Sequence, residues 1–328
     1  MRFQGERFLI VGGAGFIGSH FVERLLSGGA AAVTVYDNFS SGQEWHLAAH
    51  RHDARLKVVR GEVGDLEALC RTMTGHDTVI HLASNPDIAR AATEPAVDFW
   101  QGTHLTFHIV EAMRQTGTRR VLYASGSGVY GERGWEELRE DRGPYTPIST
   151  YGASKLAGET LISSYCYMFD MTGRAFRFAN VVGPRQTHGV GLDFLTRLGQ
   201  DPTRLRILGD GTQSKAYIHV SDIIAAVLCA HSNQQERFQV YNVAPEDTIT
   251  VTEIAEEAVV VADLKPGSVR FDYTGGDRGW KGDVPVVRLN ADRIRALGWK
   301  PTMNSRQAIR ASLEAMQAHM LQDAAVER

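Results

Sequence analysis

The sequence predicts a doubly wound α/β fold, a parallel sheet with helices on both faces, joined to a smaller and mostly C-terminal second domain. Three observations carry this expectation. Short β-branched runs alternate with helix-period stretches through the first half of the chain. Gly12, Gly15 and Gly18 fall between the first such run and the first helix. After Asn180 the alternation gives way to a segment crowded with glycine and proline.

Residues 8–11, 32–36, 56–60, 78–82 and 120–124 read as buried strands, and 173–179 as a sixth. Residues 20–26, 66–73 and 103–114 carry apolar side chains at helical spacing between them. Alternating strands and helices imply a parallel sheet with right-handed crossovers. Gly183-Pro184, Gly189, Gly191, Asp201-Pro202 and Gly209-Asp210-Gly211 mark a loop-rich insertion. A strand at 216–220, a helix at 222–231 and a strand at 240–243 then suggest a return to the main sheet. Helices are expected at 251–262 and 305–322, around a glycine-rich turn at 275–282. The expected division is 1–183 with 216–245 as one domain, and 184–215 with 246–328 as the other.

Composition narrows the function classes. Hydrophobic residues make up 43% of the 328, enough to bury a core of this size. The net charge is −3 and no basic run could track a nucleic-acid backbone, so nucleic acid is not an expected partner. No apolar stretch is long enough to cross a bilayer, and residues 1–8 lack the apolar core of a signal peptide. Cys70, Cys166 and Cys229 are widely spaced and odd in number. That spacing suits a reducing cytoplasm and implies neither a disulfide framework nor a metal site.

Val11-Gly-Gly-Ala-Gly-Phe16-Ile17-Gly18 follows a strand and opens a helix. Glycines there permit a tight turn, and the helix N-terminus offers free N–H groups to a pyrophosphate. Asp37 ends the second strand, where a carboxylate bonds the ribose hydroxyls of a dinucleotide and repels a 2′-phosphate. NAD is therefore expected over NADP, although an acid at that point could also only cap the next turn. Asn38, Ser40 and Gly42 follow it. Glu62-Val63 and Leu82-Ala83-Ser84 lie after strands three and four, at the end of the sheet where such folds hold ligands.

Tyr151-Gly-Ala-Ser-Lys155 opens a further helix, with Tyr and Lys four apart on one face. A free phenol has a pKa near ~10 and is a poor base at neutral pH. A neighbouring ammonium favours the phenolate. Lys155 is one of only six lysines, which makes its position four residues after a tyrosine informative.

Taken with Asp37-Asn38-Phe-Ser-Ser-Gly42, Val129-Tyr130-Gly131, Pro147-Ile-Ser-Thr-Tyr-Gly-Ala-Ser-Lys155, Arg177-Phe-Ala-Asn180-Val-Val-Gly-Pro-Arg185, Gly209-Asp-Gly-Thr-Gln213 and Gly279-Trp-Lys-Gly-Asp283, these motifs resemble the extended short-chain dehydrogenases/reductases. Within them the chain is most similar to nucleotide-sugar epimerases and dehydratases, above all UDP-glucose 4-epimerases of the compact prokaryotic kind. The resemblance covers nearly the whole chain. It implies a Rossmann domain binding NAD through the residues above and Ser125, a nucleotide-sugar substrate, and a homodimer. It implies that Tyr151 is the base and that Lys155 tunes it. Asn180 would hold the substrate pyrophosphate, with Lys215 and Arg278 neutralising its charge. Both cations could instead be solvated loop charges. Arg185 would rest near the sugar, or serve as an ion-pair residue.

The chain also departs from the family. Relatives usually carry Ser or Thr three residues before the Val of Val129-Tyr130-Gly131, as the group that relays the proton. Here that position is Gly126, flanked by Ser125 and Ser127. Either Ser127 takes the role, which is the reading favoured, or Tyr151 works with water. The 4,6-dehydratases carry Asp-Glu where this chain has Ser127-Gly128, and decarboxylases place Glu at the second position. Trp100-Gln101-Gly102 stands where relatives tend to have asparagines. The expected reaction is 4-epimerisation through a transient 4-keto sugar. The alternatives are another modification, such as a hexuronate or heptose epimerase, a dehydratase or an oxidoreductase, or a non-catalytic NAD-binding relative. The dimer is expected to pair the helix at 103–114 with the one after Tyr151. Their stripes are Leu105, Ile109 and Ala112 on one, and Leu156, Leu161 and Tyr165 on the other.

Overall fold

The computed structural model describes residues 3–85, 87–233, 236–280 and 282–326. Seven strands form one parallel sheet: β1 (Arg7–Val11), β2 (Ala32–Asp37), β3 (Leu56–Arg60), β4 (Thr78–His81), β5 (Arg120–Gly126), β6 (Thr172–Phe178) and β7 (Phe238–Val243). Their spatial order is β7-β6-β5-β4-β1-β2-β3. Phe8 faces Val33 on one side and Thr78 on the other. The order reverses at β1, so a crevice opens between the carboxyl ends of β1 and β4.

Alternation along β1 explains why helices cover both faces. Phe8 and Ile10 point into one core, with Phe21 and Leu25 of α1 (Phe16–Ser27) and Ile223 of α6 (Val220–Ser232). Leu9 and Val11 point into the other. That side holds Leu69 of α2 (Leu66–Met73), Ile109 and Met113 of α3 (Leu105–Thr116), and Ile162 of α4 (Thr150–Met168). Helix starts follow local chemistry. Asp65 accepts the Ala68 N–H at 3.0 Å to open α2, and Ser149 accepts the Gly152 N–H at 3.1 Å to open α4. A π-helical stretch, Phe99–His104, leads into α3.

A third core lies C-terminal to the sheet. It joins Phe194 and Leu198 of α5 (Val190–Gln200), Ile254 and Ala258 of α7 (Val251–Val261), and Ile309 and Leu313 of α8 (Ser305–Val326). Thr250 and Glu253 form a reciprocal cap at the start of α7.

The structure corrects several expectations. The segment after Asn180 is not mainly loop, since it contains α5 and a strand over Arg204–Ile207. Gly189 caps the entry to α5, and Gly191 and Gly199 lie within the helix. Tyr217–His219 pairs with Asn180–Val182 and not with the main sheet; β7 alone makes the return. The apolar stripe of α3 is not a free face, because Ile109 and Ala112 are completely buried within this chain. Its exposed apolar residue is Phe107, and Phe99 and Trp100 ahead of the helix are exposed as well. None of the described helices is long and apolar enough to cross a membrane.

Candidate active site

A cleft of about 660 Å³ runs along the carboxyl ends of the strands. At one end β1 turns into α1. Gly12 has φ +82°, and a β-carbon there would come within 2.8 Å of the Ala83 nitrogen. A β-carbon at Gly18 would reach 2.5 Å from the Gly12 carbonyl oxygen. Only glycine allows this approach of loop, helix and β4. Gly15 caps α1 without a side-chain acceptor, so the first N–H groups of the helix remain for a ligand. Gly12, Gly15, Phe16, Ile17 and Gly18 all line the cleft.

Asp37 ends β2 with its carboxylate buried. It accepts from the Ala14 N–H at 2.9 Å and from the Phe39 N–H at 2.8 Å. These bonds fix the carboxylate while leaving acceptor capacity for ribose hydroxyls. Asn38 donates to Glu62 at 3.1 Å, and Ser40 N–H returns to Asn38 at 2.9 Å. Asn38, Ser40, Glu62, Val63, Leu82, Ala83 and Ser84 all border the same space. Gly42 does not. It sits behind the acid, where a β-carbon would come within 3.0 Å of Asp37 Oδ1. The glycine cradle, the free helix end and the anchored acid together fit a dinucleotide.

Tyr151 and Lys155 face the cleft from the first turns of α4. Lys155 donates to the Ala124 carbonyl at 2.8 Å, and its ammonium lies 5.4 Å from the centre of the Tyr151 ring. Burial pushes the Tyr151 phenol up to about 12, against the pull of the Ser84 hydroxyl, while the Asp98 charge adds to the rise. Burial pushes Lys155 down to about 8, with Asp98 opposing. Desolvation is thus the largest influence on the phenol, and it disfavours the charged form.

Ser125 borders the cleft, but its hydroxyl is committed to buried Glu159 at 2.5 Å. Ser127 lines the cleft on the turn after β5. Gly126 is extended at φ −156°, and a β-carbon there would meet nothing within 4 Å. Asn180 and Lys215 line the far end, where the Lys215 ammonium pairs with Asp283.

The structure does not bring Arg185 and Arg278 into this lining. Arg185 reaches Glu23 at 2.8 Å and Ser19 at 3.4 Å. Arg278 bonds Glu132 and Asp277, both at 3.1 Å. Each guanidinium is neutralised by carboxylates outside the cleft. Among the described residues, Lys155 and Lys215 are the only lysines or arginines that line it.

Sequence reasoning missed three features of the site. His188, Trp280 and Asp283 line it from loops. Ile309, Leu313 and Met316 of α8 lie at helical spacing, which reads as core alone, yet they also wall the cleft. Asp98, only 1% exposed, was also passed over.

The fold and this cleft define a dinucleotide-binding α/β enzyme with a Tyr/Lys pair at its centre. Residues 8–244 match the NAD dependent epimerase/dehydratase family, and the chain belongs to it. A UDP-glucose 4-epimerase of Mycolicibacterium smegmatis is 30% identical over 318 residues, covering 94% of this chain and 97% of that protein. A crystal structure of a UDP-galactose 4-epimerase superposes with a TM-score of 0.84 at 35% identity, covering 96% and 99%. A double mutant of dTDP-glucose 4,6-dehydratase from Streptomyces venezuelae, with NAD bound, gives 0.87 at 27% identity, covering 96% and 98%.

Proposed function

We propose that this enzyme inverts C4 of a UDP-hexose, with Tyr151 carrying the proton of the 4-hydroxyl. The observation that carries the reading is the Tyr151/Lys155 pair facing the same cleft as the dinucleotide cradle. NAD supplies the hydride acceptor and donor, so no net oxidation results, and the oxidised nicotinamide is a cation. Gly12, Gly15, Gly18 and Asp37 would hold it. The protein's own part is positioning and proton handling. Tyr151 takes the proton as the 4-keto sugar forms and returns it after the sugar turns. Lys155 adds positive charge beside the phenol, and Ser127 relays the proton towards the sugar. Asn180 and Lys215 hold the pyrophosphate, with Asp283 releasing Lys215 to the substrate.

The relatives act on UDP-sugars in two of the three cases above, which supports the choice of nucleotide. Ser127-Gly128 offers no carboxylic acid and base for removing water, which favours epimerisation over dehydration. The division of labour we propose gives NAD to 1–183 with 216–245, and the nucleotide sugar to 184–215 with 246–328. We also infer a homodimer, supported by the exposed aromatic group Phe99, Trp100 and Phe107. Three free thiols suit the cytoplasm.

Tyr151→Phe tests the reading. The ring and the fold remain, so NAD should still bind, while interconversion of UDP-glucose and UDP-galactose should fall by about 100- to 10,000-fold. Near-full interconversion by this variant would sink the mechanism.

A further inference from the structure

We propose that Ser84 belongs to the acid–base site, its hydroxyl donating a hydrogen bond to the Tyr151 oxygen while Ser127 keeps the relay towards the sugar. The proposal rests on the reading of Tyr151 as the proton carrier. Its basis is a buried clasp. Asn85 donates to Asp98 Oδ1 at 2.9 Å, and Thr150 donates to Asp98 Oδ2 at 2.7 Å. Asn85 directly follows Ser84, and Thr150 directly precedes Tyr151. Asn85 also closes its own turn, donating to the Asp87 carbonyl at 2.8 Å and accepting from the Asp87 N–H at 3.0 Å. Asp98 and Asn85 are both nearly inaccessible, so these bonds do not compete with water. The loop after β4 and the start of α4 are thereby tied within one residue of each partner.

Ser84 borders the cleft together with Tyr151. A hydroxyl there acts to lower the pKa of the phenol, against burial. On the neighbouring turn Ser127 lines the cleft and serves the relay towards the sugar. Gly126 and Gly128 have no hydroxyl, and that of Ser125 belongs to Glu159. The charged and titratable groups facing Tyr151 are Lys155 from the same helix, Asp98 from the clasp and Tyr123 from β5. His81, at the end of β4, stands near Lys155. Ser84→Ala alters none of them directly.

The test compares Ser84→Ala and Ser84→Thr in the NAD-loaded enzyme with UDP-hexose. For Ser84→Ala, kcat should fall about tenfold or more with little change in KM. The pH at which activity rises should move up by about one unit. Ser84→Thr should restore both kcat and the profile. The tyrosinate absorbance that Tyr151→Phe removes should shift to higher pH in the Ser84→Ala background, with no substrate present. A wild-type kcat and profile in Ser84→Ala, beside an inactive Tyr151→Phe, would overturn the role of Ser84 and leave the tyrosine reading standing. A loss of kcat with an unmoved profile would also overturn it, since it marks a packing role. Full activity in Tyr151→Phe would remove both.

Discussion

Glu159→Gln should cost the fold several kcal/mol although it changes the side-chain shape very little. Glu159 sits on α4, one turn beyond Lys155, and is 3% exposed. Its Oε1 accepts from Ser125 at 2.5 Å and from Arg177 Nε at 3.0 Å, and its Oε2 accepts from Arg177 Nη2 at 2.7 Å. Arg177 is 1% exposed and lies over the rings of Tyr130 and Tyr145, at 4.7 Å and 4.4 Å. Burial works to lower the Arg177 pKa, and Glu159, with Tyr130 and Tyr145, more than offsets it. Glutamine leaves this guanidinium buried without a counter-charge and turns an amide donor towards existing donors. Breaking one side of such a pair costs about 3–5 kcal/mol. A whole domain is stable by only about 5–15 kcal/mol. The assay is urea unfolding followed by fluorescence and circular dichroism, with the midpoint falling and the slope preserved. The double replacement Glu159→Leu with Arg177→Met should recover much of the loss, because it leaves no charge unpaired. A single Glu159→Gln variant within about 1 kcal/mol of wild type would refute this account of the buried pair.

Asp37→Ala should weaken NAD binding by about 1.5–3 kcal/mol, measured by titration calorimetry. If the variant binds as tightly as wild type, Asp37 only closes the turn to Ala14 and Phe39. His81 is buried against Thr106 at 2.9 Å, and burial holds its pKa down at about 3. A depressed histidine keeps its stabilisation above the unfolded value and loses it as the pH falls. Stability should therefore decline between about pH 6.5 and 3, by about 1.4 kcal/mol per unit from this group. His81→Gln should flatten that slope in acid unfolding curves, and an unchanged slope would count against the assignment. Trp100→Glu should turn the proposed dimer into a monomer in light scattering at micromolar concentration; an unaltered mass would remove these aromatic side chains from the proposed interface.

Much of the nucleotide half was legible from local pattern. Gly12, Gly15, Gly18 and Asp37 are constrained by turns and strand ends that span a few residues, so their spacing survives in the sequence as a readable motif. Tyr151 and Lys155 were equally readable, because one helical turn sets their common face. The alternation of Phe8, Leu9, Ile10 and Val11 already implied a sheet covered on both sides.

Other features depended on contacts between distant segments. Arg278 was expected beside the pyrophosphate and Arg185 beside the sugar, yet Glu132 lies 146 residues from the first and Glu23 lies 162 from the second. No local pattern encodes such pairings, and a guanidinium goes to whichever carboxylate the fold presents. Apolar spacing on the helix at 103–114 marked a buried stripe without saying what buries it; the chain's own sheet takes Ile109 and Ala112. The acidity of Tyr151 followed the same rule. The sequence by itself determined which groups could exchange a proton. Only the tertiary structure decided their surroundings, because burial, the Asp98 charge and the Ser84 hydroxyl all reach the phenol from segments far away along the chain.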